Sequence, residues 1–275
     1  PQNNKKRIIF LYSDTGGGHR SAAEAIIEAL ELEFPGYFEC EMVDFFENYS
    51  PPPFNMAGPI YPVMSRMDHL WKFSFEVSDD PDRMRVIYAM FWPYVRLPLY
   101  KLLEKHPGDI FVSVHPLINI PLLRAMRNRG KRQPYVIVVT DLVSTHTAWF
   151  TNDATRVIVP TEQATRKGLE SCVNPEKLKV IGLPVADRFC SPKSDKQALR
   201  GKLGWPQDKL VALLVGGGEG MGPLEEIAVQ INDSGLDIAL VVVTGRNQKL
   251  KETLEKMRWN IPAHIYGFVR EMPDF

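Results

Sequence analysis

Apolar positions alternate along the chain between short β-type runs and stretches of helical spacing. Arg7 to Tyr12 (RIIFLY) is β-rich and followed by glycines, and Arg20 to Glu33 (RSAAEAIIEALELE) carries apolar residues at helical intervals, so the chain opens as strand, glycine turn, helix. A second apolar segment covers Phe38 to Val43. Pro51 to Pro62 is too proline-dense for a regular element and reads as a long structured excursion. From Met64 to Leu103 the chain carries Trp71, Phe73, Phe75, Tyr88, Phe91, Trp92, Tyr94 and Tyr100 on helical ground, and most of these aromatics are expected in the core. The alternation then resumes with a strand at Asp109 to Val114, a helix at Pro116 to Asn128, and strands at Tyr135 to Thr140 and Arg156 to Val159. A helix at Glu162 to Glu170 and a strand at Lys179 to Ile181 follow. Strands alternating with helices in this way predict a parallel, doubly wound α/β sheet.

The pattern breaks in GLPVADRFCSPKSDKQALR, which places a boundary between a first domain over 1–190 and a second over 191–275. The second series runs as a strand at Leu210 to Val215, a glycine turn, a helix at Glu225 to Ile231, a strand at Ile238 to Val243, a helix at Gln248 to Met257 and a strand at His264 to Tyr266. Three strands fall short of the ~100 to 150 residues usual for such a domain, so the second domain is expected to be truncated in this chain.

Composition narrows the classes. At 275 residues and 44% hydrophobic content the chain has enough apolar sequence for a sizeable core. Its 33 basic and 33 acidic residues cancel, which removes the global charge argument for a nucleic-acid partner. Cys40, Cys172 and Cys190 have no metal-site spacing and leave one over, against a disulfide framework and in favour of a reducing, cytoplasmic setting. No run approaches the ~20 apolar residues of a spanning helix, and PQNNKKRIIF has no signal-peptide core, so any membrane contact is expected to be peripheral.

Three clusters carry candidate chemistry, each at the carboxyl end of a predicted strand, where ligands of open α/β sheets bind. The first is Ser13-Asp14-Thr15-Gly16-Gly17-Gly18-His19-Arg20. It is neither a G-x-G-x-x-G nor a Walker A loop, which lowers the case for dinucleotide binding and P-loop phosphoryl transfer. Gly17 and Gly18 let a substrate approach the backbone. His19 is a candidate general base, its imidazole expected to be kept neutral by the positive helix end; the other reading is a simple helix cap. The second cluster, Thr140 to Phe150, offers Asp141 to orient an imidazole or receive a substrate hydroxyl, or else to cap its loop, and His146 with Trp149 to line an acceptor site. His115, in SVHP, is similarly placed and equally open. The third is Gly216-Gly217-Gly218-Glu219-Gly220-Met221-Gly222, whose amides from Gly217 to Gly222 suit a phosphate, or else form only a tight turn. Arg246, in Gly245-Arg246-Asn247, is either a diphosphate contact or a surface arginine. Two glycine turns, each opening an αβ series, suggest two nucleotide-fold domains facing a cleft.

The segments SDTGGGHRSAAEAI, SVHPL, TDLVSTHTAWF, GLPV, GGGEGMGP, GRNQKL and GFV occur in the order found in monogalactosyldiacylglycerol synthases, and the chain resembles that family over essentially its whole length. The resemblance implies a GT-B fold of two Rossmann-like domains and a metal-independent, inverting transfer of galactose or glucose from a UDP-sugar to the sn-3 hydroxyl of diacylglycerol. His19 would then be the base, and Trp149 with the stretch near Pro51 to Trp71, Pro52 and Trp71 included, would lie on the acceptor and membrane side. Gly218, Glu219, Gly220 and Met221 would approach the donor diphosphate, and Gly267, Phe268 and Val269 the uracil through their backbone. The family's Lys-Ala-Gly-Pro-Gly-Thr and Glu-Ala-Gly segments lie beyond Phe275, so this piece alone is expected to turn over little. The resemblance implies no cofactor and no metal, and as partners the UDP-sugar and diacylglycerol. An anionic lipid surface is a further expected partner, from exposed-looking aromatics near Lys72, Arg83, Arg85 and Arg96. The alternatives are a transferase acting on another lipid or a cell-wall lipid precursor, and a non-catalytic nucleotide- or lipid-binding relative.

Overall fold

The computed structural model describes residues 5–14, 18–52, 55, 75–190 and 195–275. Two compact units divide it, Pro1–Asp187 and Arg188–Phe275.

In the first unit β1 (Lys6–Tyr12) leads into α1 (Gly18–Glu33), β2 (Phe38–Asp44) and the short α2 (Phe45–Tyr49). The long α3 (Pro81–Lys105), β3 (Ile110–Ser113), α4 (Asn119–Asn128), β4 (Tyr135–Val138), β5 (Arg156–Val159), α5 (Glu162–Glu170) and β6 (Leu178–Val180) follow. All six strands are parallel, in the order β2-β1-β3-β4-β5-β6. The chain runs outward from β1 to β2, then returns to the other side of β1 for β3. The crevice between the carboxyl ends of β1 and β3 is therefore the topological switch point, where this architecture binds ligands.

The central strands are buried on both faces because most of their residues are apolar. Ile8 and Phe10 face α1 through Ala22 and Ala23, while Ile9, Leu11, Phe111, Tyr135, Ile137 and Val157 face Leu102 of α3 and Leu122 of α4. Fully burying an aliphatic or aromatic side chain of this kind contributes about 1.5–3 kcal/mol.

The Asp80 carboxylate caps α3 by accepting from the amides of Asp82 and Arg83, with Pro81 in the first turn, where its missing N–H costs nothing. The helix runs on through Pro93 and Pro98. The aromatic segment corrects the expectation of a mostly aromatic core. Met84, Leu99, Leu102 and Leu103 supply the buried face, whereas Phe75, Tyr88, Trp92 and Tyr100 are half-buried and Phe91 and Tyr94 exposed. Arginines on α4's side cover the rings, Arg124 at 4.3 Å from Trp92 and Arg129 at 4.2 Å from Tyr100. Trp71, Phe73 and most of the proline-rich stretch lie outside the described residues.

Two other elements differ from their sequence reading. The expected helix from Pro116 begins as a 3-10 turn (Pro116–Ile118), because His115 accepts the Leu117 amide and caps it. The strand expected to reach Thr140 ends at Val138, which frees Thr140 to turn toward α1.

The second unit contains α6 (Lys196–Leu203), β7 (Leu210–Val215), α7 (Leu224–Asn232), β8 (Ile238–Val243), α8 (Gln248–Glu255) and β9 (Ala263–Tyr266). Its three strands are parallel in sequence order. Ala228, Leu240, Val242 and Leu254 form its buried centre. The helix α6 was not legible within the presumed break, because KQALRGKL buries none of its residues and so carries no apolar stripe.

Candidate functional site

In the first unit, the carboxyl ends of β1, β3 and β4 bring together His19, His115 and Asp141 from three separate sequence segments. The His19 imidazole meets that of His115 edge-on at 4.6 Å, and its Nδ1 lies 3.1 Å from the Thr140 hydroxyl. Phe45 and Phe46 of α2 close around His115, with ring centroids at 5.2 and 5.3 Å. Asp44 holds α2 in place by accepting from the amides of Phe46 and Glu47, and with its other oxygen from the Asp14 amide at 3.0 Å. One buried carboxylate thus anchors both the helix and the start of the glycine turn.

His19 has its pKa lowered, as a base at neutral pH requires, but the cause differs from the sequence argument. Burial is the largest influence, opposed by the negative charge of Asp141 and by the Val114 carbonyl, so the helix end is not the leading reason. His115 is depressed well below the usual imidazole range by complete burial and by the neighbouring His19. Its Nδ1 accepts from Leu117 at 3.3 Å, so the neutral ring carries its proton on Nε2.

Asp141 is engaged differently from either sequence reading. Its Oδ2 accepts from the Trp149 indole N–H at 2.6 Å, and it acts on His19 through its charge. Trp149 is fully buried, so the expectation that it lines an acceptor surface is corrected. It lies behind the site, 6.0 Å from the His19 ring, and its backbone carbonyl accepts from Asn119 at 3.5 Å. Asn119 in turn accepts from the Tyr135 hydroxyl at 3.2 Å. His146 also has a structural part here. Its Nδ1 accepts the Ala148 amide at 3.0 Å, capping the 3-10 turn Thr147–Trp149, and its Nε2 lies 3.0 Å from the Ser78 hydroxyl. Burial lowers its pKa too. Gly18 is exposed, with open space where a side chain would project, and Pro52 sits exposed in a turn. Gly17 and Trp71 lie outside the described residues.

In the second unit the glycine turn after β7 stacks on the turn after β8. Gly220 (φ 62°) and Gly245 (φ 57°) are at the contact. A Cβ on Gly220 would come within 1.9 Å of the Thr244 carbonyl oxygen, and one on Gly245 within 2.4 Å of two carbonyls of the glycine turn. These glycines are required by packing. Gly217, Gly218 and Gly222 face open space, apart from the Arg246 guanidinium 3.8 Å from a Cβ built on Gly218. Arg246 pairs through Nη1 with Glu219 at 2.5 Å and lies over the Phe268 ring at 4.9 Å. Glu219, Arg246 and Phe268, chosen separately in the sequence, thus form one cluster beside Gly218. Gly267 adjoins it, 3.6 Å from the Gly245 carbonyl oxygen at its would-be Cβ, while Met221 is exposed and Val269 half-buried.

Sequence reasoning missed Asp44, Phe45, Phe46, Asn119 and Tyr135. Asp44 carried a signal, an acidic residue at a strand end directly before an aromatic helix start, the ordinary form of an N-cap. Asn119 and Tyr135 carried none.

Two parallel α/β sheets, the first of them doubly wound, with candidate residues at their carboxyl ends define the class, a GT-B fold. Among solved structures the chain is similar to Acinetobacter baumannii MurG, with a TM-score of 0.54 and 14% identity over 97% of this chain and 68% of that one. It is likewise similar to Anabaena HepE in complex with UDP-glucose, at 0.54 and 12% over 98% and 70%. The monogalactosyldiacylglycerol (MGDG) synthase family model matches residues 19–185, and the chain belongs to that family. Monogalactosyldiacylglycerol synthase 1, chloroplastic, of Arabidopsis thaliana is 33% identical over 278 residues, covering 98% of this chain and 52% of its own length. A probable monogalactosyldiacylglycerol synthase, chloroplastic, of Glycine max is 34% identical with the same coverage. The chain spans about half the length of these curated relatives. Among the described residues no helix is long and apolar enough to cross a membrane.

Proposed function

We propose that this sequence forms part of an inverting hexosyltransferase that moves galactose or glucose from a UDP-sugar to the sn-3 hydroxyl of diacylglycerol, without a metal or other cofactor. The observation that carries this reading is the half-buried His19 imidazole at the switch point of the first sheet, in a chain of this family. Burial keeps the ring unprotonated and ready to accept a proton. The acceptor hydroxyl gives its proton to His19 while its oxygen bonds to the anomeric carbon, and the bond from that carbon to the diphosphate oxygen breaks with inversion. Asp141 stabilises the imidazolium that forms, and Trp149 holds the Asp141 carboxylate by its N–H. In the second unit the open backbone at Gly217, Gly218 and Gly222 is offered to the diphosphate, with Arg246 as its cation and the backbone of Phe268 for the uracil.

A lipid acceptor calls for a peripheral membrane contact, and α3 carries a suitable one. Val86, Met90, Tyr94 and Leu97 form an exposed apolar stripe at three- and four-residue spacing, flanked by exposed Arg83, Arg85 and Arg96. Lys72 lies outside the described residues.

The test is transfer of radiolabelled sugar from UDP-galactose and, separately, UDP-glucose to dispersed diacylglycerol, with and without EDTA, using the full natural polypeptide. A monoglycosyl lipid that persists in EDTA is expected. Replacing His19 by alanine should cost ~10²- to 10⁴-fold in rate with UDP affinity retained. No product from either donor, with UDP still bound, would assign another acceptor or a non-catalytic role.

A further inference from the structure

A glutamate at the centre of an anion-binding turn needs a reason, because its carboxylate repels a diphosphate. We propose that Glu219 is a positioning residue, one that contacts no ligand and sets Arg246 as a preorganised phosphate clamp. The inference rests on the nucleotide reading of this turn and gives Glu219 a part other than direct approach to the diphosphate.

Arg246 is fixed at three points. Its main-chain N–H donates to the Gly218 carbonyl at 2.8 Å, its Nη1 meets Glu219 Oε1 at 2.5 Å, and its guanidinium carbon lies 4.9 Å over the Phe268 ring. The two partners are exposed unequally. The Glu219 side chain is 19% exposed and that of Arg246 62%, so the acid is set into the turn while the base presents its outer edge to solvent. A guanidinium has five N–H donors in a planar fork. The one hydrogen bond to Glu219 occupies Nη1, and Nε and Nη2 remain available to grip a phosphate. A free arginine would lose rotamer freedom on binding, and the ion pair and ring contact have removed much of it beforehand.

Gly218 completes the arrangement. A Cβ built there meets only Arg246 Nη1, at 3.8 Å, so the guanidinium lies beside backbone that a ligand can approach. Backbone amides and the guanidinium edge then converge on one anion, with Glu219 behind the cation.

The experiment is calorimetric titration of UDP into the full natural polypeptide and into its Glu219→Ala, Glu219→Gln, Arg246→Ala and Glu219→Ala/Arg246→Ala variants, each checked for its melting transition. Glu219→Ala should weaken UDP about 2- to 5-fold, the range for an ion pair that is partly exposed. Glu219→Gln keeps an oxygen acceptor for Nη1 and should retain most of the affinity. In the Arg246→Ala background, removing the carboxylate should not weaken UDP further. Tighter UDP binding by Glu219→Ala would overturn the inference, since the carboxylate would then be a competitor for Arg246. Equal weakening in both backgrounds would overturn it too, by assigning Glu219 to the turn itself. Affinity that disappears in EDTA would assign the carboxylate to a cation. A full-length wild-type polypeptide that binds no UDP would remove the nucleotide reading itself, and this inference with it.

Discussion

Gly218 and Gly220, two residues apart in the turn after β7, should answer the same substitution in opposite ways. At Gly220 a Cβ would stand 1.9 Å from the Thr244 carbonyl oxygen and 2.7 Å from the Asn247 Cβ. The first obstacle is main chain, which cannot swing aside, and relieving such overpacking costs about 1–3 kcal/mol. The left-handed backbone at φ 62° adds roughly 1–2 kcal/mol for any residue with a Cβ. Gly220→Ala should therefore destabilise the second unit by about 2–5 kcal/mol, and at ~4–8 °C per kcal/mol for a domain of this size its melting point should fall by roughly 10 °C or more. Gly218 is not in the left-handed region, and its Cβ would meet only a guanidinium nitrogen at 3.8 Å. Gly218→Ala should change stability by less than about 0.5 kcal/mol. Its methyl group would stand where a phosphate approaches the backbone, so UDP should bind about tenfold more weakly or worse, a loss of about 1.4 kcal/mol. Differential scanning calorimetry reads the first effect and titration with UDP the second. Wild-type UDP affinity in Gly218→Ala would refute the backbone approach, and an unchanged melting point in Gly220→Ala would refute the packing argument.

Three other outcomes follow from the first unit. His115 and His19 have lowered pKa values in the fold, so between those values and the ordinary ~6.5 the unfolded chain binds more protons. Their stabilising contribution is complete above ~6.5 and lost as pH falls, so denaturation followed from pH 8 to 5 should show declining stability, less steeply in His115→Phe; parallel slopes would refute this. Trp149→Phe keeps the ring packing but deprives Asp141 Oδ2 of its donor, at a cost of about 1–3 kcal/mol by urea unfolding. A variant as stable as wild type would mean that the indole bond is not maintained in solution. Met90→Asp and Tyr94→Asp, at positions 67% and 69% exposed, should leave stability within about 0.5 kcal/mol and reduce co-sedimentation with anionic vesicles. Undiminished vesicle binding would place the membrane contact elsewhere.

Much of the architecture could be read along the chain because each strand is a short apolar run ended by polar or glycine residues, and parallel strands buried on both faces need little else. The bounds of β5, α5, β7 and β8 coincide with those read from periodicity. The segment from Met64 to Leu103 was misread in one respect. Aromatic content says that a ring is apolar, not which side of a helix faces the sheet, and on α3 Met84, Leu99, Leu102 and Leu103 took the inward face while Tyr94 and Phe91 stayed in solvent. The candidate residues were legible by position, as polar groups at strand ends, and their partners were not. Nothing local to Trp149 says that its indole N–H turns to Asp141, or that Arg246 will find a glutamate 27 residues earlier in the chain. Strand order decides the second of these, by setting the turns after β7 and β8 side by side. Local sequence determined the elements, the glycine turns and the family, because those depend on periodicity and on neighbours in the chain. Which histidine is buried, which glycines are packed rather than open, and which carboxylate faces which cation were decided only when the sheets assembled, because burial and pairing belong to residues distant in sequence and adjacent in space.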